Sequence, residues 1–288
     1  MKATTQLDKD AAPSCVKYCV IMTLYSGDDP EYFKQSFMSI LQQTLLPAEI
    51  VIAFDGAVSN GLQAAYRAMR RLSTVPVRSV RLSENKGHGA ACNAAVKASS
   101  CELIGKLDAD DIAFPDRFER QVSMFLQDDD LAVCSGHLAE FSGDTSVITS
   151  ERRVPSRQSE IRAFMRRRSP FNHPAVMYKR SAVLAVGGYP EIRRAEDYCL
   201  WVKLLAGGYK GANIDAPLVY FRASGDSYGR KKSWGNIVDS MRARWFGYKR
   251  GMSSLWDVFV VFVAHVILFI LPRRTIAGFY KLVLRRDA

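Results

Sequence analysis

Asp108-Ala109-Asp110-Asp111 is the part of this sequence whose residue types and spacing bear most directly on chemistry. Three carboxylates in four positions follow an apolar run ending at Leu107. They repel one another, and are stable together when a divalent cation or a donor-rich ligand neutralises them. An all-oxygen ligand set suits Mg²⁺ or Mn²⁺, and Mg²⁺ takes one or two carboxylates together with phosphate oxygens. The plain alternative is a solvated acidic turn ahead of a helix at Pro115. Asp128-Asp129-Asp130, which follows a helix rather than a strand, is read as a turn of that kind.

Three further groups could act beside these carboxylates. Glu196-Asp197 opens a helical pattern. An Asp with a reference pKa of ~3.9 is ionised at neutral pH and can accept a hydroxyl proton. On residue type alone, Asp197 reads equally as a cap of that helix. In Asn172-His173-Pro174, His173 reads as a diphosphate or acceptor contact, or equally as a structural histidine beside a turn. Asn85-Lys86-Gly87-His88-Gly89 opens a helix after a strand, where phosphate-binding loops sit. Cys92 stands where GxGxxG needs its third glycine, and the loop follows the third strand, so a dinucleotide fold is disfavoured. Lys86 reads as a donor contact or as a solvated lysine.

The elements that must position these groups alternate. Strands are expected over Val16–Leu24, Glu49–Phe54, Val77–Leu82 and Leu103–Leu107. Helices are expected over Pro30–Gln43, Gly61–Leu72, His88–Ala98 and Pro115–Gln127. This alternation predicts a mostly parallel sheet with helices on both faces. Ligands bind such sheets at the carboxyl ends of the strands. Each strand here ends in polar or conformationally special residues: Tyr25-Ser26-Gly27, Asp55-Gly56, Glu84 to Gly87, and Asp108 to Asp111. Later the pattern becomes mixed, with short strands expected at Ala132–Ser135, Val147–Thr149, Ala175–Tyr178 and Leu218–Phe221, and a helix over Glu196–Ala206. The basic stretch Arg152–Arg168 has few apolar anchors and is expected to be mobile.

Composition sets the class. Of 288 residues 48% are apolar, enough for a substantial core and outside the disordered range. The net charge of +11 points to a polyanionic partner. Tyr228 to Ala288 carries twelve Lys/Arg against three Asp, a net of +9, and is also rich in large apolar side chains. Leu255–Leu271 is apolar except at Asp257 and His265, and is followed by Pro272-Arg273-Arg274 and Ile276–Leu284. Its length lies at the lower bound for a spanning helix, so an in-plane or re-entrant membrane helix is expected, with a docked core helix as the alternative. Trp234, Trp245 and Trp256 with interleaved arginines read as an interfacial belt; no nucleic-acid motif accompanies them, and no nucleic-acid partner is expected. The six cysteines form no CxxC pair or Cys/His run in the sequence and read as reduced, buried thiols. Met1–Asp10 is polar and unlike a signal peptide.

Taken in order, these pieces resemble the family 2 inverting glycosyltransferases, in particular the non-processive enzymes of capsule, exopolysaccharide and O-antigen synthesis. The resemblance covers about Tyr18 to Arg222. It rests on Leu24-Tyr25, Ser39 to Thr44, Glu49-Ile50-Val51, Asp55-Gly56, Glu84 to Gly87, Leu107 to Ile112 with Pro115 and Arg117, Pro170 to Pro174, Gly187-Gly188-Tyr189, and Glu196 to Trp201. Each piece is weak alone; their order and spacing are specific. The resemblance implies Asp197 as catalytic base and Asp110 as metal ligand. It implies donor contacts from Tyr25, Asp55 (base or ribose), Asn85, Lys86 and Asp108 (ribose and diphosphate). Glu196, Asn172, His173 and Trp201 are candidates for the diphosphate or acceptor. Thr23 stands where the first loop usually has proline. Phe54-Asp55-Gly56 replaces the usual Asp-Asp-Gly, which leaves one acidic residue for the base and weakens the case for uridine. The processive QxxRW signature does not follow Trp201.

The expected fold is thus α/β, a GT-A domain over residues 15–228, with a disordered start (1–14) and a membrane-associated helical tail (229–288). The expected reaction is metal-dependent inverting transfer of a sugar from a nucleotide-diphosphate sugar, a UDP-sugar foremost, to a lipid-linked or saccharide hydroxyl. The expected cofactor is Mg²⁺ or Mn²⁺, and the expected place is the cytoplasmic face of the inner membrane, peripheral or monotopic. A membrane-tethered nucleotide-sugar-binding protein without turnover is the alternative. A nucleotidyltransferase would want a basic glycine-rich loop after the first strand, where this chain has the acidic Tyr25 to Asp29.

Overall fold

The first strands are buried on both faces, which is why they read as unbroken apolar runs. The computed structural model describes residues 16–192, 194–223 and 234–270. The start expected to be disordered, the domain boundary expected at 228, Cys15 and the basic end of the tail from Pro272 onward lie outside the described residues. In β1 (Tyr18–Leu24) and β2 (Glu49–Phe54) every residue is buried. With β3 (Val77–Arg81) and β4 (Leu103–Lys106) they form a parallel half-sheet in the order β3-β2-β1-β4. The crossovers are α1 (Pro30–Leu41), α2 (Asn60–Leu72) and α3 (His88–Ala98). Asp29 fixes where α1 begins, its Oδ1 accepting the Glu31 and Tyr32 N–H groups at 2.7 and 3.1 Å.

Successive side chains of a strand point to opposite faces, and two cores result. Val20, Met22, Ile50, Ile52 and Phe54 pack with Phe33, Phe37 and Leu62 on one face. Ile21, Val51, Ala53 and Ile104 pack with Ala91, Ala95 and Trp201 on the other.

Beyond β4 the sheet is mixed. It continues through β5 (Ile112–Ala113), α4 (Arg117–Gln127), β6 (Leu131–Ser142), β7 (Asp144–Arg152), α5 (Gln158–Met165), β8 (Met177–Lys179), α6 (Arg180–Ala185), α7 (Glu196–Ala206) and β9 (Lys210–Arg222). The strand order is β3-β2-β1-β4-β8-β6-β9-β5, with β7 paired to β6. Helices cover both faces of this α/β sheet.

Several elements are longer than the sequence pattern indicates. The strand expected at Ala132–Ser135 runs to Ser142, because the polar positions that interrupt its pattern find partners only in the folded chain. Ser135 Oγ donates to the Asn172 carbonyl at 3.0 Å, and Glu140 accepts from Ser150 and Arg152 at 2.6 and 2.9 Å. The stretch Arg152–Arg168 is not a loose basic segment. It contains α5, whose Ile161 and Met165 are completely buried in the second core. Two anchors one helical turn apart suffice, since they fall on one face.

The described part of the tail is a helix pair. The first, α8 (Trp234–Tyr248), buries Ile237 and Ala243. The second, α9 (Leu255–Ile270), buries Asp257 and Val261 and leaves Trp256, Phe259, Phe262, Ile267 and Ile270 exposed. Among the described residues no helix is long and apolar enough to cross a membrane. Cys19, Cys92, Cys101, Cys134 and Cys199 are buried free thiols.

Candidate active site

The carboxyl ends of the parallel strands form one rim, and the loops that leave them lock to each other. Gly56 has φ +81° and lies so close to the third loop that a Cβ there would stand 2.7 Å from the Asn85 nitrogen. Beside it, Asp55 is buried and spends both oxygens on that loop, accepting the Lys86 N–H at 2.7 Å and the Gly87 N–H at 3.0 Å. Asp55 therefore shapes the loop that carries Asn85 and Lys86, both exposed on the rim. Tyr25, on the first loop, is 46% exposed.

At the end of β4 the strand turns over into the carboxylates. The Ser36 hydroxyl donates to the Asp108 carbonyl at 2.7 Å and holds that turn against α1. Lys106 is completely buried and its ammonium pairs with Asp108 Oδ1. Burial favours neutral forms, yet the Lys106 charge keeps the Asp108 carboxyl below its usual range, and Asp108 in turn keeps Lys106 protonated. Beneath them the buried Arg117 donates to the Lys106 and Val176 carbonyls at 2.6 and 3.2 Å, tying β4 to β8.

Asp110 and Asp111 behave differently. Asp111 is fully buried, accepts the Arg222 N–H at 2.9 Å through Oδ1 and leaves Oδ2 without a hydrogen bond. Burial and the charges of Asp110 and Asp108 push its pKa well up. Asp110 is exposed on the rim, and the protein around its carboxyl together with the Asp108 charge raises its pKa too. Asp28, on the first loop, is pushed up to about 7 by burial, with Asp110 and Asp108 adding. Carboxylates held this close, whose charges add to burial in raising one another's pKa, are those a divalent cation relieves. This donor set fits Mg²⁺ or Mn²⁺ at Asp110.

Two histidines line the floor. His88, at the start of α3, places Nε2 3.8 Å from Asp108 Oδ1 and Nδ1 3.1 Å from the Thr23 hydroxyl. His173 meets it edge to face at 5.3 Å, with Nε2 2.9 Å from the Tyr189 hydroxyl. Burial keeps both neutral: His88 falls to about 4 and His173 well below its usual value, with the Lys106 charge adding in each case. His88, Cys92 and His173 bring three ligand atoms within 4.8 Å of one another, a grouping the sequence spacing hides. The buried Lys106 ammonium already supplies positive charge to that pocket and opposes a cation there.

The Glu196-Asp197 pair arrives from the other side. Ala195 holds φ +61°, the one non-glycine residue with positive φ among the described residues, and turns the chain into α7. Gly89 lies against Glu196, so the starts of α3 and α7 converge beside Asp108. Burial and the Asp197 charge push Glu196 up to about 7; burial raises Asp197, against the opposing charges of Lys106 and Arg244.

Tyr25, Asn85, Lys86, Asp108, Asp110, His173, Glu196 and Asp197 are thus on or just beneath the rim. Three residues expected at the ligand are placed as supports instead, Asp55 among them through its two bonds to the loop after β3. Trp201 is completely buried, with Phe171 and His173 edge-on at 5.5 and 6.0 Å. Asn172 is buried, its Nδ2 donating to the Gly136 and Arg152 carbonyls at 2.9 and 3.2 Å. Lys106 was not singled out in the sequence; the signal was there, a lysine in the last position of an apolar strand running into the carboxylates. Arg222 and Arg244 carried no such signal.

Comparison with known proteins identifies the family and the fold. Residues 19–187 match the family described as Glycosyl transferase family 2. An uncharacterized glycosyltransferase of Haemophilus influenzae is 33% identical over 94% of this chain and 100% of its own length. The UDP-Gal:alpha-D-GlcNAc-diphosphoundecaprenol beta-1,3-galactosyltransferase of Escherichia coli is 32% identical over 94% of this chain and 97% of its own. Among solved structures, the Pyrobaculum calidifontis mannosyltransferase PcManGT, in complex with GDP-Man and Mn²⁺, superposes with a TM-score of 0.60 at 15% identity, covering 95% of this chain and 89% of that one. Staphylococcus aureus TarS 1-349 with UDP-GlcNAc gives 0.58 at 15% identity, over 93% and 73%. At that identity the two structures speak for the fold.

Proposed function

The chain belongs to glycosyl transferase family 2, and from that premise we propose that it transfers a sugar, with inversion, from a UDP-sugar to a hydroxyl of a lipid-linked saccharide at the cytoplasmic membrane face. The observation that carries this is the approach of the Glu196-Asp197 start of α7 to the Lys106–Asp108 pair at the end of β4, with Asp110 exposed on the same turn. The donor lies across the loops, with the nucleotide near Tyr25 and the loop that Asp55 braces, and with Asn85 and Lys86 toward its phosphates. Asp108, neutralised by Lys106, faces the ribose and diphosphate. Asp110 would hold Mg²⁺ or Mn²⁺, which when bound stabilises the negative charge of the departing diphosphate.

The acceptor oxygen attacks the anomeric carbon on the face opposite the diphosphate. As that C–O bond forms and the bond to the diphosphate breaks, Asp197 takes the hydroxyl proton. The affinity of Asp197 for protons, raised by burial, suits this role. The neutral His88 and His173 floor the site without adding charge. The donor class and lipid-linked acceptor are supported by the near-full-length Escherichia coli relative, whose name states both.

The test is a thermal-shift screen of nucleotide sugars with Mn²⁺, followed by transfer to a sugar-diphosphate-polyprenol acceptor and assignment of the product anomer by NMR. A UDP-sugar should give the largest shift, and an α-linked donor should give a β-linked product. Retention at the anomeric carbon, or full activity in EDTA, would overturn the mechanism.

A further inference from the structure

The helix pair α8–α9 carries an apolar groove of about 590 Å³. Trp234, Trp245, Leu255, Val258, Phe259 and Phe262 form its walls, and among the described residues Arg242 is the one charged residue lining it. Trp234 and Phe259 are 61% and 53% exposed, so these walls are not shared with the core. Its size falls in the ~300–1,000 Å³ range of sites that hold a small ligand or chain segment.

The opposite sides of the same two helices are fixed to the catalytic domain. Ala243 of α8 is buried in the second core, and the neighbouring Arg244 lies 4.0 Å over the ring of Tyr198, the residue next to Asp197. At the foot of α9 the Asp257 carboxylate is 2% exposed. It accepts from Arg166 Nε and Arg167 Nε at 2.9 and 2.8 Å, and from the Ser254 N–H and hydroxyl at 3.0 and 2.6 Å. Arg166 and Arg167 directly follow α5, and Met165, its last residue, accepts the Tyr198 hydroxyl at 3.1 Å. The groove is therefore held in a set position relative to α7 and the Glu196-Asp197 pair.

We propose that this groove binds the hydrocarbon chain of the lipid-linked acceptor, so that α8 and α9 present the acceptor's sugar to Asp197. The proposal rests on the lipid-linked acceptor of the preceding section and names the part of the enzyme that reads the lipid. Charge decides between occupants. Among the described residues the groove lining contains no acidic residue, and Arg242 stands in it, 3.5 Å from Asp239, which does not line it. An apolar groove with an arginine in its wall complements a hydrocarbon chain ending in a phosphate or diphosphate.

The test uses the full chain in neutral detergent micelles with a polyprenyl phosphate bearing a photoactivatable diazirine on the chain. Cross-links should map to the groove walls by mass spectrometry. Excess unlabelled polyprenyl phosphate should suppress them at least tenfold, and a short-chain alkyl phosphate should not. Phe259→Asp with Phe262→Asp, both at exposed positions, should abolish the labelling. The same variant should raise KM for a long-chain acceptor at least tenfold, with kcat and the KM of a short-chain acceptor unchanged. Labelling spread evenly along α9 and insensitive to competitor would show a helix merely dissolved in the micelle, and would overturn the proposal. So would protection of the groove in a dimer seen by light scattering. Labelling of the groove without transfer to any lipid-linked sugar would leave the groove assignment standing and refute the acceptor class instead.

Discussion

Gly89, at the second position of α3, approaches Glu196, at the first position of α7, so closely that a Cβ on it would stand 3.1 Å from Glu196 Cγ and 3.2 Å from Glu196 Cβ. The contact joins the element carrying His88 to the one carrying Asp197. Gly89→Ala must push the start of α7 away by a few tenths of an ångström. Since a misplacement of about 1 Å can cost 10²-fold in rate, a several-fold fall in kcat is expected, with little change in donor Kd. Steady-state kinetics and calorimetric donor binding check it; an unchanged kcat would mean the convergence plays no part in turnover.

The pH profile should show the same pair. Burial and the Asp197 charge lift Glu196 to about 7, and burial lifts Asp197. The base acts when ionised, so activity is lost as pH falls, and the acid limb of kcat/KM belongs to the pair and should lie above the ordinary carboxylate value of ~4. Glu196→Gln removes a negative neighbour and should move the limb to lower pH. Asp197→Asn should cut turnover by about 10² or more while donor affinity holds. A collapse of donor binding with turnover retained at saturation would make Asp197 a binding residue.

Metal binding should be coupled to protons. Asp28, at about 7, and Asp110 bind protons more tightly in the folded chain than in the unfolded one. Their contribution to stability is fully present below the unfolded carboxylate pKa and is lost as pH rises through the raised folded values, about 7 for Asp28. A cation that takes the place of these protons gives back most where the protons are gone. The gain in Tm from Mn²⁺ should therefore be larger at pH 8 than at pH 6, and Asp110→Asn should abolish it along with activity. An equal gain in the variant would place the metal elsewhere.

Lys106 and Asp108 should behave as a pair. Lys106→Met leaves the partly buried Asp108 carboxylate without its counter-charge and should cost up to about 3–5 kcal/mol. Adding Asp108→Asn should recover part of that loss. Urea unfolding of the single and double variants measures the coupling, and strict additivity would show that the pair contributes nothing.

Attachment to a membrane should depend on salt. Exposed Trp256, Phe259 and Ile267 supply apolar insertion, while the basic residues of the tail attract anionic headgroups at roughly 1 kcal/mol each. Flotation with vesicles of 3:1 neutral to anionic phospholipid should give strong binding at low salt, much weaker binding at 0.5 M NaCl, and little with neutral vesicles alone. Binding indifferent to both salt and anionic lipid would remove the electrostatic part of this reading.

The local signals were legible because they need only neighbours in sequence. The α/β alternation up to Gln127, the Asp29 and Pro30 start of α1, and the carboxylates at the end of β4 follow from apolar runs, caps and loop chemistry. The long β6 was not legible, since Ser135, His137 and Glu140 look like interruptions until Asn172, Asp215 and Arg152 come to meet them. The anchoring of α5 was hidden in the same way, two apolar side chains among many basic ones.

The sequence by itself determined the family, the architecture of the parallel half and the residues around which the site is built, because strand period and motif order are one-dimensional properties. The tertiary structure decided what surrounds each of them. It sank Trp201 beneath His173, turned Asp55 inward to hold a loop, set Lys106 against Asp108, and brought Arg166 and Arg167 to Asp257 across some ninety positions of chain. Burial, counter-charge and the strength of a proton on a carboxylate all depend on which distant segments exclude water from a side chain, and that is fixed only when the chain has closed on itself.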